Sequence, residues 1–153
     1  MPPKSVHFLR HAESMANIGI KDEYNSSLSS KGIDQAMSIK IDEDFDYVIC
    51  SGLKRAQQTF TLGNIKHRDV IHTNLCQERI FDKTDALSES KFKLETDSEY
   101  FERLNRFYRM LHSLDGKVLI IAHNYFFGSI RYNCEHGKIE PLNLNNAEHK
   151  RIY

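Results

Sequence analysis

Short apolar runs alternate with amphipathic segments along most of this chain. Four runs have the length of strands, and they cover residues 5–9, 45–50, 69–72 and 117–122. Continuous apolar runs of this length are typical of strands that are buried on both faces of a parallel sheet. The pattern therefore predicts four strands that run mainly parallel to one another, of which the first and the last are buried.

Helical patterns fill the intervals between the predicted strands. They predict a short helix over residues 13–20, a helix from Ser29 or Ser30 through Met37, a helix over residues 53–62 that stops at Gly63, and a last helix over residues 125–132. Strands that alternate with helices predict a three-layer α/β/α sandwich around a mainly parallel sheet. We expect residues 1–153 to form a single domain.

The clearest helical pattern follows a long polar stretch. Thr96 and Glu99 form a capping box, and aromatic and aliphatic residues recur at helical spacing from Tyr100 to Leu114. These residues form one stripe, so we expect them in the core.

Two other segments show little pattern. Residues 73–96 have little periodicity, which indicates a loop or an irregular insertion. The polar tail adds at most an edge strand near residues 151–153.

The composition is that of an ordinary globular protein. The chain has 153 residues, of which 21 are basic and 21 acidic, and its mean hydropathy is −0.55. A balanced charge gives no net field that would attract nucleic acid or an anionic membrane, and no apolar run is long enough to cross a bilayer. We therefore expect neither a nucleic-acid nor a membrane partner.

Cysteines and histidines show no metal-binding or disulfide spacing. Cys50, Cys76 and Cys134 are widely separated, which favours a reducing, cytoplasmic compartment. The N-terminus leads directly into a predicted strand, so we expect no signal peptide. Residues 134–136 read Cys-Glu-His but lack a second half-site. We expect the histidines away from the predicted site to be surface or satisfied core residues: His67, His72, His112, His136 and His149.

Two of the predicted strands end at a histidine. His11 follows Arg10 after the first strand, and His123 follows the fourth. The carboxyl ends of parallel strands meet at one edge of the sheet, where ligands of α/β proteins bind. Arg10 and Arg55 offer planar guanidinium groups that match phosphate oxygens, and Asn17 adds a neutral donor. The residues therefore predict a site for an anionic, phosphate-bearing ligand.

Five short segments carry these residues in a definite order. They read LRHAES at residues 9–14 with Asn17 beyond, LSSKGIDQA at 28–36, SGLKRAQQT at 51–59, LCQE at 75–78 and AHN at 122–124. In this order they resemble the segments of the histidine phosphatase superfamily, also called phosphoglycerate mutase-like. Two positions depart from the usual pattern: Ala12 and Asn124 stand where most members carry glycine, and alanine at the first occurs in some branches, including phosphohistidine phosphatases.

The resemblance implies a phosphoglycerate mutase-like fold and a covalent mechanism. His11 would attack phosphorus and become phosphohistidine, which water then hydrolyses. Arg10, Arg55 and His123 would hold the transferring oxygens. The activity implied is that of a histidine acid-type phosphatase, a metal-independent phosphomonoesterase that needs no cofactor.

The resemblance also implies a proton donor and two further phosphate ligands. Glu78 would protonate the leaving alkoxide, provided that burial and the substrate's charge keep it protonated. Asn17 and the backbone N–H of Asn124 would bind phosphate. Arg79, Lys83, Lys91 and Lys93 are candidates for a second anionic group, the alternative being a solvated charged loop.

Three functions agree with these residues. The first is hydrolysis of a small phosphorylated metabolite, and the second is hydrolysis of a phosphoprotein such as a phosphohistidine protein. Ala12 allows the second, whereas Glu78 favours an alkoxide leaving group. The third is a non-catalytic phosphate-binding protein, against which the filled catalytic positions count. The chain is short for a mutase, which favours hydrolysis over transfer.

Overall fold

A mainly parallel sheet organises the structure. The computed structural model describes residues 2–134 and 142–153, except for the side chains of residues 131–134. Its five strands are β1 (Ser5–Arg10), β2 (Phe45–Ser51), β3 (His67–Thr73), β4 (Lys117–Ala122) and β5 (His149–Arg151), in the order β3-β2-β4-β1-β5. The first four run parallel, and β5 runs antiparallel to β1. The predicted mainly parallel α/β fold is confirmed.

Within the described residues, four α-helices cover the two faces of this sheet. They are α1 (Ser30–Met37), α2 (Lys54–Gly63), α3 (Asp97–His112) and α4 (Asn124–Cys134). The buried side chains of α3 and α4 pack with Val6, Phe8 and Ile120 on one face, whereas Ala56 of α2 packs with Leu9 on the other. Among the described helices, none combines the length and the apolar character needed to cross a membrane.

Three local predictions are wrong in detail. Residues 13–20 contain only a 3-10 turn, Ala16–Ile18, because Ser14 pairs with Leu28 in an isolated bridge instead of continuing a helix. The helix predicted to stop at Gly63 includes that residue as part of α2, and the left-handed residue that follows it is Asn64, with φ of 48°. Within the predicted core stripe of α3, Phe101 is 53% exposed.

The long irregular stretch before α3 is confirmed. Between β3 and α3 the chain forms only three 3-10 turns, Asn74–Cys76, Lys83–Asp85 and Glu89–Lys91. The capping box that starts α3 is present, since Thr96 accepts from the N–H of Glu99 and Glu99 accepts from the N–H of Thr96. The register pairs Arg10 of β1 with Ala122 of β4, so the histidines that follow both strands reach the same edge of the sheet.

Candidate active site

A cleft of about 240 Å³ lies where β1 and β4 end. Six of the seven residues predicted for the site line this cleft: Arg10, His11, Asn17, Arg55, Glu78 and Asn124. The seventh, His123, is fully buried and lies against His11, with 5.1 Å between the ring centroids. Sheet register and helix packing thus bring together residues that are far apart in sequence.

His11 is held as a neutral imidazole with one nitrogen available. Its side chain is buried, and its Nδ1 lies 2.7 Å from the backbone oxygen of Ala12. A carbonyl oxygen only accepts hydrogen bonds, so Nδ1 carries the proton and Nε2 keeps its lone pair. Burial, reinforced by the positive charge of Arg55, lowers the pKa of His11 well below its usual value. The ring therefore has the protonation state of a nucleophile.

His123 is also a neutral imidazole. Burial, followed by the positive charge of Arg55, lowers its pKa well below the usual value. Its Nε2 lies 2.8 Å from Oγ of Ser51, which itself accepts from the backbone N–H of Leu53. Its Nδ1 is buried and makes no hydrogen bond within the described part of the chain. If the Ser51 hydroxyl donates to Nε2, the proton of His123 resides on Nδ1.

The backbone after β1 is held by polar side chains from α1 and α2. The N–H of Ala12 donates to Oγ1 of Thr59 at 3.0 Å, and the N–H of Glu13 donates to Oε1 of Gln35 at 2.9 Å. Gly32 is needed in α1 because a Cβ there would collide with the carbonyl oxygen of Glu13. These three residues lie in the recognised segments, where they support the loop that carries His11.

The two arginines have different neighbours. Arg55 is 4% exposed, and it donates to the carbonyl oxygen of Thr84 and to a carboxylate oxygen of Asp85, each at 2.9 Å. Arg10 donates to the carbonyl oxygen of Leu144 at 2.7 Å, while its Nε makes no hydrogen bond to the described residues. Each guanidinium has five N–H donors, so both retain donors for an anion in the cleft.

Glu78 has the electrostatics of a proton donor at neutral pH. Desolvation by burial raises its pKa to about 7, although the nearby Arg55 charge opposes the shift. Its Oε1 accepts from the N–H of Phe126 at 3.0 Å, and its Oε2 accepts from the N–H of Tyr125 at 3.2 Å. The carboxyl group is thus fixed against the first turn of α4, and its raised pKa allows it to hold a proton at neutral pH.

The C-terminal segment packs against residues that line the cleft. The amide of Asn146 donates to the carbonyl oxygen of His11 and to Oδ1 of Asn17, at 3.2 and 3.1 Å. Oδ1 of Asn17 also accepts from the N–H of Ser14, so its NH2 group is left for a ligand. The side chain of Asn124 instead contacts this segment, since it accepts from the N–H of Leu144 at 3.0 Å.

Sequence reasoning missed several residues of the cleft. Lys21, Phe81, Asp82, Thr84 and Asp85 also line it. The four basic candidates for a second anionic group do not line it. Arg79 pairs with Asp97, Lys83 donates to a backbone oxygen, Lys93 pairs with Glu99, and Lys91 is exposed, in agreement with the alternative of a solvated charged loop. The stretch that carries most of these residues has no periodicity, so only the long-range contacts reveal which side chains face the cleft.

Comparisons with known proteins identify a family and a shared fold. A family model described as histidine phosphatase superfamily (branch 1) matches residues 6–113. The solved structure of a putative alpha-ribazole-5'-P phosphatase from Escherichia coli is similar, with a TM-score of 0.78 and 19% identity over 97% of this chain and 90% of that one. A search of curated proteins finds no match.

Two further solved structures resemble this chain. Phosphoserine phosphatase from Entamoeba histolytica, in complex with 3-phosphoglyceric acid, has a TM-score of 0.69 and 15% identity over 96% of this chain and 89% of that one. Phosphoglycerate mutase from Thermus thermophilus has a TM-score of 0.65 and 15% identity over 97% of this chain and 92% of that one. At these identities the likeness is one of fold.

Proposed function

Because the chain belongs to the histidine phosphatase superfamily, we propose that it is a phosphomonoesterase that hydrolyses a small phosphorylated compound through phosphohistidine on His11. The observation that carries this proposal is the state of His11. Its Nδ1 donates to the carbonyl oxygen of Ala12, and its low pKa keeps the Nε2 lone pair free at neutral pH. A buried histidine beside two arginines gains little structurally from this arrangement, whereas a nucleophile requires it.

In the first step, Nε2 of His11 forms a bond to phosphorus as the bond from phosphorus to the ester oxygen breaks. Glu78 gives its proton to the departing oxygen. The Ala12 carbonyl oxygen, already bonded to Nδ1–H, stabilises the positive charge that the phosphorylated ring acquires. The products of this step are an alcohol and the phosphoenzyme.

Several fixed donors then hold the phosphoryl oxygens. Free N–H groups of Arg10 and Arg55 supply positive charge, and the NH2 group of Asn17 and the backbone N–H of Asn124 supply neutral donors. His123 donates from Nδ1, the buried atom that makes no hydrogen bond to a described residue. Donors that are already in place stabilise the transition state without reorganisation.

In the second step, a water oxygen attacks phosphorus and the N–P bond breaks. Glu78, now a carboxylate, takes a proton from that water, and inorganic phosphate leaves with His11 restored. The small cleft, with Phe81 and Asp85 among its lining residues, favours a small phosphate ester over a phosphoprotein as the substrate. Metal ions have no part in this sequence of steps.

The test uses p-nitrophenyl phosphate in the presence of EDTA. Wild-type protein should turn over, and His11→Ala should lose at least about 10³-fold in kcat because the nucleophile is gone. The matched control is His72→Ala, an exposed histidine of β3, which should keep wild-type activity. Quenched wild-type protein should carry an acid-labile phosphoryl group that His11→Ala lacks. Turnover by His11→Ala at the wild-type rate would refute the assignment.

The substrate class is tested separately with the same preparations. Small phosphate esters should be hydrolysed with higher kcat/KM than phosphopeptides. A preference for a phosphohistidine peptide would instead support the phosphoprotein alternative, and phosphate binding without any turnover would support a non-catalytic protein.

A further inference from the structure

Three ligand-type side chains meet on the sheet at a distance from the cleft. His7 of β1, His149 of β5 and Glu43, which lies just before β2, each place one potential ligand atom within 4.8 Å of the others. Nδ1 of His7 lies 2.8 Å from Nε2 of His149, and Nε2 of His7 lies 3.3 Å from Oε2 of Glu43. At about 3.3 Å per residue, His7 lies about 13 Å from His11 along β1. The cluster is therefore separate from the phosphate site.

The cluster contains buried polar atoms that the described residues leave without a hydrogen bond. His7 is 1% exposed, and its Nε2 and the facing Oε2 of Glu43 lie within ion-pair distance of each other but make no hydrogen bond to a described residue. The rings of His7 and His149 are stacked, with centroids 5.0 Å apart and planes at 6°. Buried polar atoms without partners are rare in folded proteins and often mark the position of an ion or a water.

The donor set matches a transition metal. Two imidazole nitrogens and a carboxylate oxygen are ligands that Zn²⁺ accepts in four-coordinate sites, with Zn–N distances of about 2.0–2.1 Å. His149 and Glu43 are partly exposed and can move inward around the fixed ring of His7.

Two positive charges compete with an ion at this position. Nζ of Lys117 lies 3.9 Å from Oε2 of Glu43, and the charge of Arg151 acts on His7. Lys117 has a partly exposed side chain, so it can turn toward solvent when an ion arrives. Removal of the Lys117 charge should consequently strengthen metal binding, which a cluster held only by ion pairs and hydrogen bonds would not do.

We propose that His7, Glu43 and His149 form a binding site for Zn²⁺ that fastens the edge strand β5 to β1. The chain just before β5 contacts residues of the cleft, because the carbonyl oxygen of Leu144 accepts from Arg10 and the amide of Asn146 donates to the carbonyl oxygen of His11. Bound Zn²⁺ would thus stabilise the segment that packs against Arg10 and His11. The ion takes no part in phosphoryl transfer.

The test is a Zn²⁺ titration of EDTA-treated, dialysed full-length protein, followed by isothermal calorimetry and by the thermal midpoint. Wild-type protein should bind one Zn²⁺ per chain and its Tm should rise. His149→Ala and Glu43→Gln should bind at least about tenfold more weakly, Lys117→Gln should bind more tightly, and the exposed-histidine control His72→Ala should match wild type. His7 is avoided as the main variant because its buried ring contributes to folding.

Other results would overturn this site. A Tm that responds to Zn²⁺ equally in wild type and His149→Ala would place the ion elsewhere, and a Tm that changes with pH but not with Zn²⁺ would make the cluster a proton-binding network. Co²⁺ in place of Zn²⁺ should give visible d–d absorption in wild type that His149→Ala lacks. Hydrolysis of p-nitrophenyl phosphate in EDTA tests the phosphatase proposal independently of these measurements.

Discussion

On the sheet side of the cleft, His11 and His123 follow two strands that pair over six consecutive residues. On the opposite side, Glu78 and Asp85 lie in a stretch whose only regular structure is 3-10 turns. The sheet side is fixed by a backbone ladder and buried apolar side chains. The irregular side is fixed by a few side chains that bind backbone carbonyls, above all Arg55 and Arg103. His11, the proposed nucleophile, thus has redundant support, whereas Glu78, the proposed proton donor, depends on individual contacts.

The largest expected effect on the irregular side is that of Glu78→Gln. The variant has no proton to give, so kcat for an alkyl phosphate should fall by about 10²–10⁴-fold, and that for p-nitrophenyl phosphate much less because its leaving group needs no proton. Since the pKa of Glu78 is raised to about 7 and the protonated form is the donor, wild-type activity should decline as pH rises through 7. Equal losses for both substrates, or an alkaline limb unchanged in Glu78→Gln, would contradict this role.

Arg103→Met tests the support beneath Glu78. The Arg103 guanidinium donates to the carbonyl oxygens of Leu75 and Gln77, at 3.0 and 2.7 Å, and pairs with Glu95 at 2.8 Å. Its removal leaves the two carbonyl oxygens unpaired and deprives Glu95 of its charged partner, so the free energy of unfolding in urea should fall by about 2–3 kcal/mol. The alkaline limb of the pH–activity profile, near pH 7, should also shift because the chain around Glu78 is no longer held.

The matched control for that variant is Arg109→Met, an exposed arginine of the same helix, which should change stability by less than about 0.5 kcal/mol. A pH profile identical to wild type in Arg103→Met would show that Arg103 stabilises the fold without positioning the acid.

Asp85→Asn tests how the irregular side orients a phosphate ligand. The Asp85 carboxylate accepts from Arg55 and, through its other oxygen, from the N–H of Phe81 at 3.1 Å. Weaker bonds to the amide should loosen Arg55, and we expect KM for a phosphate ester to rise about tenfold, equivalent to about 1.4 kcal/mol of binding. The exposed Asp34→Asn is the control. A KM unchanged from wild type would mean that Arg55 needs no such partner.

The smallest effect is expected on the sheet side, from Thr59→Val. This change removes the acceptor of the Ala12 N–H while keeping the side-chain volume, so unfolding should become easier by about 1 kcal/mol. Because Gln35 and the sheet still hold the loop, kcat should change by less than about threefold, in contrast to Glu78→Gln. Thr61→Val, on the exposed face of the same helix, serves as the control. A large decrease of kcat in Thr59→Val would contradict the difference between the two sides of the cleft.

Much of this site follows from local pattern. The apolar runs that end at His11 and His123 predict parallel strands, and parallel strands deliver their ends to one edge. The segment order predicted the family, which the matched residues 6–113 confirm. The prediction for residues 13–20 was wrong because helix propensity there is overridden by tertiary hydrogen bonds such as that from Glu13 to Gln35.

Periodicity and spacing along the chain directly encode the alternation of strands and helices, the two strand-end histidines and the arginines beside them. The folded contacts establish which nitrogen of His11 is free, which acid faces Arg55, and that His7, Glu43 and His149 meet. These features depend on burial and on contacts between residues far apart in the chain. Such contacts exist only after the sheet has brought distant segments into register.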